Sequence, residues 1–199
     1  MIIWLAIIIG AVVLDQVTKI LAVTFLDPDS PFVLIDGVFS FTYVENEGAA
    51  FGMLSDHRWI FMVISCVAII AMLIYLWKFR PQSKWACVAI SFIIGGGIGN
   101  MIDRVRLGYV IDFLDFNALG EEIWPWVFNV ADAFVCVGGA ILLVWCVVSL
   151  IFELRAEKKA KAVSAAGGNA EKVEGGESAE KTENSENSEK NESNDGEQK

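Results

Sequence analysis

Five short segments carry most of the polar side chains in the apolar part of this sequence. They are rich in carboxylates and amides: DQVTK (15–19), VENEGAAFGML (44–54), GGGIGNMIDRV (95–105), YVIDFLDF (109–116) and FNVADAF (128–134). Asp132 opens a long apolar run, where an ionisable residue is costly and therefore suggests a function and a partner. Two carboxylates held close together cannot both ionise, so one activates water while the other protonates a carbonyl oxygen. Such a pair hydrolyses amides without a metal or a covalent intermediate.

Other hydrolytic chemistries have little support in the sequence. His57 is the single histidine, and neither an HExxH motif nor a G-x-S-x-G motif is present, which argues against a metal site and against a Ser-His-Asp triad. A Ser-Lys dyad would use Lys19. Asp15 lies one helical turn before Lys19, however, so we expect a structural ion pair between them.

Spacing leaves the partner of Asp132 open among several aspartates. Asn100, Asp103 and Arg104 share one helical face, and we expect Asp103 mainly to anchor a helix end. If YVIDFLDF is extended, Asp112 and Asp115 point to opposite sides, so one can face a cavity. Asn129 either orients Asp132 or caps the helix start.

The apolar composition predicts a membrane protein. Apolar residues make up 55% of the 199 residues, and the mean hydropathy is +0.51. Four apolar runs are present: 1–26, 59–77, 85 onwards through GGGIGNMI, and 127–151. A membrane-spanning helix needs about 20 such residues. We therefore expect an all-α membrane fold with four transmembrane helices and a small extracytoplasmic β-strand subdomain in the first outward loop, where GVFSFTYV alternates.

The basic residues predict the orientation of the spans. Lys78, Arg80 and Lys84 lie between the second and third runs, and four more basic residues follow the fourth run. Both termini should therefore be cytoplasmic, although Arg104 and Arg106 weaken the rule in the second outward loop. A cleaved signal peptide is disfavoured, since no basic residue precedes Leu14 and no A-x-A site follows the first run. Trp124, Pro125 and Trp126 fit an interfacial belt.

The C-terminal region has a different composition. From Glu171 to Asp195 an acidic residue recurs at every third position, which is not a helical period, and apolar side chains are scarce. We expect a four-helix domain at 1–152 and a cytoplasmic, acidic, disordered tail at 153–199 that is dispensable for function. The four cysteines lie in the apolar runs without a CxxC pair, and we expect them to be small buried hydrophobes.

Together, the five motifs resemble the bacterial lipoprotein signal peptidases (signal peptidase II), in order and spacing, over roughly residues 1–152. This resemblance, and not the spacing, implies that Asp112 and Asp132 form the catalytic dyad. It also implies that other polar residues of the motifs support the site or bind substrate: Asp15, Lys19, Asn46, Gly48, Asn100, Asp103, Arg104 and Asn129.

The resemblance further implies the substrate and the setting. The substrate would be a prolipoprotein whose cysteine carries a diacylglyceryl group, and cleavage would fall just before that cysteine. We expect a monomer in the bacterial inner membrane, in contact with phospholipids, with its site near the outer face, without a cofactor and without a nucleic-acid partner. The alternatives are a small ion- or proton-conducting protein, whose intramembrane carboxylates line a path, and a non-catalytic scaffold.

Overall fold

The computed structural model of the chain describes residues 2–48, 58–79, 81, 83–117 and 126–192. His57, Trp124 and Pro125 lie outside these residues. The elements, in chain order, are α1 (Ile2–Phe25), β1 (Phe32–Ile35), β2 (Phe39–Asn46), α2 (Arg58–Ile74), α3 (Lys84–Arg106), β3 (Val110–Phe116), β4 (Val127–Phe128) and α4 (Val130–Glu192). A π-helical turn, Tyr75–Phe79, extends α2.

Four helical segments in the described residues are long and apolar enough to cross a membrane. They are Ile2–Phe25, Met62–Phe79, Lys84–Arg106 and Val130–Lys161. Most of their large apolar side chains are exposed on the protein surface, as expected for helices that face lipid. The predicted four-span helical fold is confirmed.

Glycines on α3 allow its neighbours to approach closely. A methyl group at Gly95 would clash with Ala11 of α1, and one at Gly96 would clash with the carbonyl oxygen of Ala131 in α4. At Gly99 it would clash with the carboxylate of Asp15. The absence of side chains at these positions therefore brings α1 and α4 against α3, as small residues commonly do between membrane helices.

The small sheet is antiparallel, with strand order β1-β2-β3-β4. The first two strands come from the loop that was predicted to form them. The other two come from the connection between α3 and α4, so the sheet is not confined to the first loop. We call the region where the C-terminal ends of α1 and α3 and the first turn of α4 meet this sheet the sheet end of the spans.

The register of the sheet places two motif residues side by side. Asn46 pairs with Val110 and Val44 pairs with Asp112, so Asn46 and Asp112 are diagonal neighbours on one face. A small apolar cluster of Ala22, Ile111 and Phe113 packs where α1 meets β3. The sheet is thus fixed to the span that carries DQVTK.

The chain divides into two compact units, Met1–Cys146 and Val147–Lys199. In the second unit the backbone is helical to Glu192, and an exposed ion pair joins Lys161 to Glu157 at 2.7 Å. The predicted boundary after residue 152 and the disorder of the tail stay predictions.

The four cysteines are free, and one expectation about them is wrong. Cys87 is buried, whereas Cys66, Cys136 and Cys146 are exposed on the protein surface. Hydropathy identifies a residue as apolar, but it does not distinguish a helix face that packs on protein from one that faces lipid.

Candidate active site

Asp112 lies in β3, on the face of the sheet that meets the helices, and its side chain is only 2% exposed. Asn46 Nδ2 donates to its Oδ2 at 2.8 Å, and Asn129 Nδ2 donates to its Oδ1 at 2.6 Å. Each carboxylate oxygen therefore accepts a hydrogen bond from an amide, one from β2 and one from the start of α4. Burial, followed by the negative charge of Asp132, raises the pKa of Asp112 to about 6.

Asp132 lies in the first turn of α4, which Asn129 caps. Asp132 N donates to Asn129 Oδ1 at 2.9 Å, and Asn129 N donates to Asp132 Oδ2 at 3.2 Å. This is a capping box with an aspartate as its acidic member. Asn100 Nδ2 of α3 donates to the other oxygen, Asp132 Oδ1, at 2.8 Å. The cap and Asn100 thus determine the orientation of the Asp132 carboxylate.

The structure brings the two aspartates together through Asn129. Its side-chain amide donates to Asp112 and, at 3.0 Å, to Asn100 Oδ1, while its backbone donates to Asp132. Asn129 is fully buried. The two roles that the sequence left as alternatives are thus performed by the same residue: the Asn129 side chain caps the helix, and its backbone N–H binds the Asp132 carboxylate.

Lys19 of α1 is buried next to Asn100, the residue that donates to Asp132. Its Nζ is 3.0 Å from Asp15 Oδ2 and 2.7 Å from Asp103 Oδ2, and it donates to Asn100 Oδ1 at 2.8 Å. The predicted ion pair with Asp15 is confirmed, and Asp103 extends it to α3. A charge this deeply buried is tolerable only when it is paired and hydrogen-bonded in this way.

Asp15 also connects α1 to α4. Its Oδ1 accepts the backbone N–H of Ala131 at 2.9 Å. This N–H is one of the donors that a helix start leaves without an intrahelical partner. The first span therefore supplies part of the cap of the last one.

Asp103 anchors the end of α3, as its spacing predicted. In addition to Lys19, it accepts the backbone N–H of Ile111 at 3.3 Å, which ties α3 to β3. Its neighbour Arg104 donates to Asn100 O at 3.3 Å and interacts electrostatically with Asp132, Asp112 and Asp103. Arg104 therefore contributes positive charge to the surroundings of the two carboxylates, while Lys19 pairs directly with Asp15 and Asp103.

Asp115 points to the opposite side of β3 from Asp112, as the extended segment predicted. Its carboxylate accepts from Ser40 Oγ at 3.2 Å and from Thr42 Oγ1 at 3.0 Å. On the site's side, Gly48 N donates to Asn46 Oδ1 at 3.1 Å and so positions the amide that bonds Asp112.

Sequence reasoning did not single out Gln16 as a site residue. Its Nε2 lies within 3.2 Å of Asp15 Oδ2, 3.2 Å of Gly99 O and 3.0 Å of Asp103 Oδ1, so it bridges α1 and α3. The sequence did contain a signal for this role, because Gln16 is a polar amide within the first apolar run. Within the described residues, no group of histidine, cysteine or acidic side chains is arranged to hold a metal ion.

These features define a class: a membrane protein of four spans in which buried amides link two carboxylates at the sheet end. Residues 7–148 match the family model described as signal peptidase (SPase) II. The chain belongs to this family, whose members are aspartic peptidases.

Similar proteins and solved structures agree with this assignment. A lipoprotein signal peptidase of Clostridioides difficile is 43% identical over 150 residues, covering 75% of this chain and 96% of that protein. The lipoprotein signal peptidase of Caldanaerobacter subterraneus subsp. tengcongensis is 49% identical over 140 residues, covering 69% and 92%. A bacterial membrane enzyme solved by the in meso method has a TM-score of 0.67 at 31% identity, covering 74% of this chain and 88% of that one.

Proposed function

We propose that this protein removes the signal peptide from diacylglyceryl-modified prolipoproteins and cuts just before the lipidated cysteine, with Asp112 and Asp132 as its catalytic pair. The observation that carries the proposal is the set of hydrogen bonds from Asn129 to both aspartates. The relatives are lipoprotein signal peptidases, which supports the substrate class. Nothing in the comparisons favours the ion-conducting alternative.

Different surroundings give the two aspartates different roles. The first turn of α4 and two N–H donors surround Asp132 and stabilise a negative charge there. Asp112 is the carboxyl whose pKa is raised, to about 6. With that pKa, roughly a tenth of the protein molecules carry a protonated Asp112 at neutral pH. A bound peptide excludes more water, which raises the pKa of Asp112 further and favours the form with one shared proton.

The reaction then needs only water and these two groups. Asp132 accepts a proton from the water as the water oxygen attacks the scissile carbonyl carbon, and Asp112 gives its proton to the carbonyl oxygen. As the tetrahedral intermediate collapses, Asp132 passes its proton to the leaving nitrogen and Asp112 recovers one from the hydroxyl. The C–N bond breaks, which leaves an amine on the lipidated cysteine and a carboxylic acid on the signal peptide, and this acid then loses its proton to water.

The remaining motif residues support this pair. Asn46 and Gly48 hold Asp112 from the first loop, and Asn100 and Asn129 orient Asp132. Arg104 offsets the negative charge that the pair carries in its resting state. The ion pairs of Lys19 with Asp15 and Asp103 join α1 to α3, and the hydrogen bond of Asp15 with Ala131 N joins α1 to the start of α4.

The setting is part of the proposal. The basic residues at the end of the spans away from the sheet favour cytoplasmic termini in the bacterial inner membrane, which puts the carboxylates near the outer face. The scissile bond of a lipidated precursor lies at that depth. We also propose that the protein acts as a monomer surrounded by phospholipid, without a cofactor.

Three matched substitutions test the catalytic pair. Asp112→Asn and Asp132→Asn should each slow cleavage of a purified, lipidated precursor by about a thousandfold or more, because each removes one half of the acid–base pair. Asp115→Asn, on the other side of the same strand, should cleave at nearly the normal rate. A precursor without the lipid should be cut poorly by every variant. Normal cleavage by Asp112→Asn or Asp132→Asn would overturn the assignment of the pair.

A further inference from the structure

A second concave site lies at the sheet end of the spans, lined by α1, α3 and the sheet. It is an open pocket of about 230 Å³, and its lining contains neither Asp112 nor Asp132. Its walls include Ile20 and Val23 of α1, Leu107 after α3, and Tyr43 and Tyr109 at the sheet. Polar groups and membrane-facing side chains thus meet in one depression outside the carboxylate pair.

The polar floor of the pocket is already satisfied by protein groups. Lys19 bonds Asp15, Asp103 and Asn100, and Gln16 bonds Asp15, Gly99 and Asp103. The Tyr43 hydroxyl donates to Glu45 and is hydrogen-bonded to Tyr109. A ligand that enters the pocket therefore finds few unused donors in its floor.

Arg106 is the exception. It lines the pocket from the last turn of α3, is exposed, and makes no ion pair or hydrogen bond with any residue that the structure describes. Since Lys19 is neutralised by its two carboxylate partners, Arg106 is the positive charge in the lining that has no acidic partner among the described residues. An exposed guanidinium without an acidic partner is well suited to bind a phosphate, with which it can form two parallel hydrogen bonds.

The apolar side of the pocket is formed by side chains of α1 that are exposed on the protein surface. Ile20 and Val23 are 61% and 52% exposed, and they belong to a helix that is apolar enough to span the membrane. An occupant with a phosphate next to Arg106 can therefore continue as hydrocarbon along α1. Free phosphate would leave this wall unused, whereas diacylglycerol would leave Arg106 unpaired.

We propose that this pocket binds one membrane phospholipid of the leaflet at the sheet end, with its phosphate on Arg106 and its glycerol and first acyl carbons against Ile20 and Val23. The site is separate from the proposed carboxylate pair and does not depend on the cleavage reaction. A bound lipid would brace the end of α3 against α1 and the sheet, next to the hydrogen bonds of Asp103.

The test compares phosphatidylglycerol with diacylglycerol of the same acyl chains, added to delipidated full-length protein. Native mass spectrometry should show one retained phosphatidylglycerol, and the melting temperature should rise with that lipid but not with diacylglycerol. Arg106→Ala should weaken the retention about tenfold or more, because a charge-assisted hydrogen bond is lost, and Arg106→Lys should restore part of it. Arg155→Ala, which removes a cation remote in sequence, should change nothing.

A second pair of variants tests the apolar wall. Val23→Trp should fill the pocket and reduce retention, whereas Val13→Trp, at a position of similar exposure on the same helix (54% against 52%), should not. Two results would overturn the proposal: equal binding of diacylglycerol, or unchanged retention by Arg106→Ala. Complete competition by glycerol 3-phosphate would show a free-phosphate site and would overturn the assignment to a lipid.

Discussion

Lys19 Nζ donates a 2.8 Å hydrogen bond to Asn100 Oδ1, and the nitrogen of that same amide donates to Asp132. The lysine is therefore connected to the proposed catalytic pair through one asparagine. It fixes which end of the Asn100 amide faces α1, and the other end must then face Asp132. A buried ion pair in the first span thus determines a hydrogen bond at the start of the last one.

Replacing this lysine should destabilise the protein. Lys19→Met leaves Asp15 and Asp103 buried without their shared cation, which should destabilise the protein by about 3–5 kcal/mol, as the loss of one partner of a buried ion pair typically does. The melting temperature in detergent measures the change. Adding Asp103→Asn should recover part of the stability, since it removes one unpaired charge. A Lys19→Met protein that is as stable as the parent would contradict this account.

Substitution of Asn129 should separate helix capping from positioning of the pair. Asn129→Ser keeps a side-chain oxygen for the N–H of Asp132 but removes the amide that bonds Asp112 and Asn100. We expect cleavage to fall about a hundredfold, the scale of a misplaced reacting group, with a melting temperature close to that of the parent.

Asn129→Ala is the matched control, because it loses the cap as well. It should cost about 1 kcal/mol or more in stability and at least as much activity as the serine variant. If Asn129→Ser cleaves normally, the amide bridge does not position the pair.

The raised pKa of Asp112 predicts how stability depends on pH. Its pKa rises from 3.8 to about 6 on folding, so the native state binds the proton more tightly than the unfolded state does. The ionised carboxylate therefore opposes folding, and this penalty grows as the pH rises from about 4 to above 6, reaching about 3 kcal/mol.

Asp112→Asn removes this titration. Its melting temperature relative to the parent should therefore increase between pH 4 and pH 7, whatever constant cost the lost hydrogen-bond acceptor adds. Asp115→Asn serves as the control on the other side of the strand. A difference between variant and parent that does not change with pH would show that Asp112 does not titrate in this range.

The tail offers a prediction about both order and function. Removing residues 163–199 should leave cleavage unchanged, since the contacts of the site lie between residues 15 and 132. The composition also predicts fast amide hydrogen exchange along this segment, whereas a persistent helix would protect it. An inactive truncated protein would show that the tail has an essential role.

Much of the fold could be predicted from the sequence because hydropathy and local spacing report on single elements. The four runs predicted the spans, and the i,i+4 spacing predicted the Asp15–Lys19 pair. The alternation of YVIDFLDF predicted that Asp112 and Asp115 lie on opposite sides of a strand. Each of these properties depends on a short stretch of chain.

Pairings between distant segments could not be predicted in this way. The register that brings Asn46 next to Asp112 joins residues 66 positions apart, and Lys19 meets Asp103 from another helix. The lateral order of the strands and the side of a helix that faces protein depend on packing of the whole molecule. For this reason the identity of the second aspartate came from family resemblance, and Gln16 was missed.

The hydrogen bond from Ala131 N to Asp15 has a consequence for biogenesis. Because α1 is synthesised first and α4 last, the final part of this cap arrives only when translation of the last span is well advanced. Until then, Asp132 and Asn129 are absent and Asp112 has no second carboxylate beside it. A nascent chain with three inserted spans therefore lacks one half of the proposed catalytic pair, and we expect cleavage activity only after the fourth helix has docked.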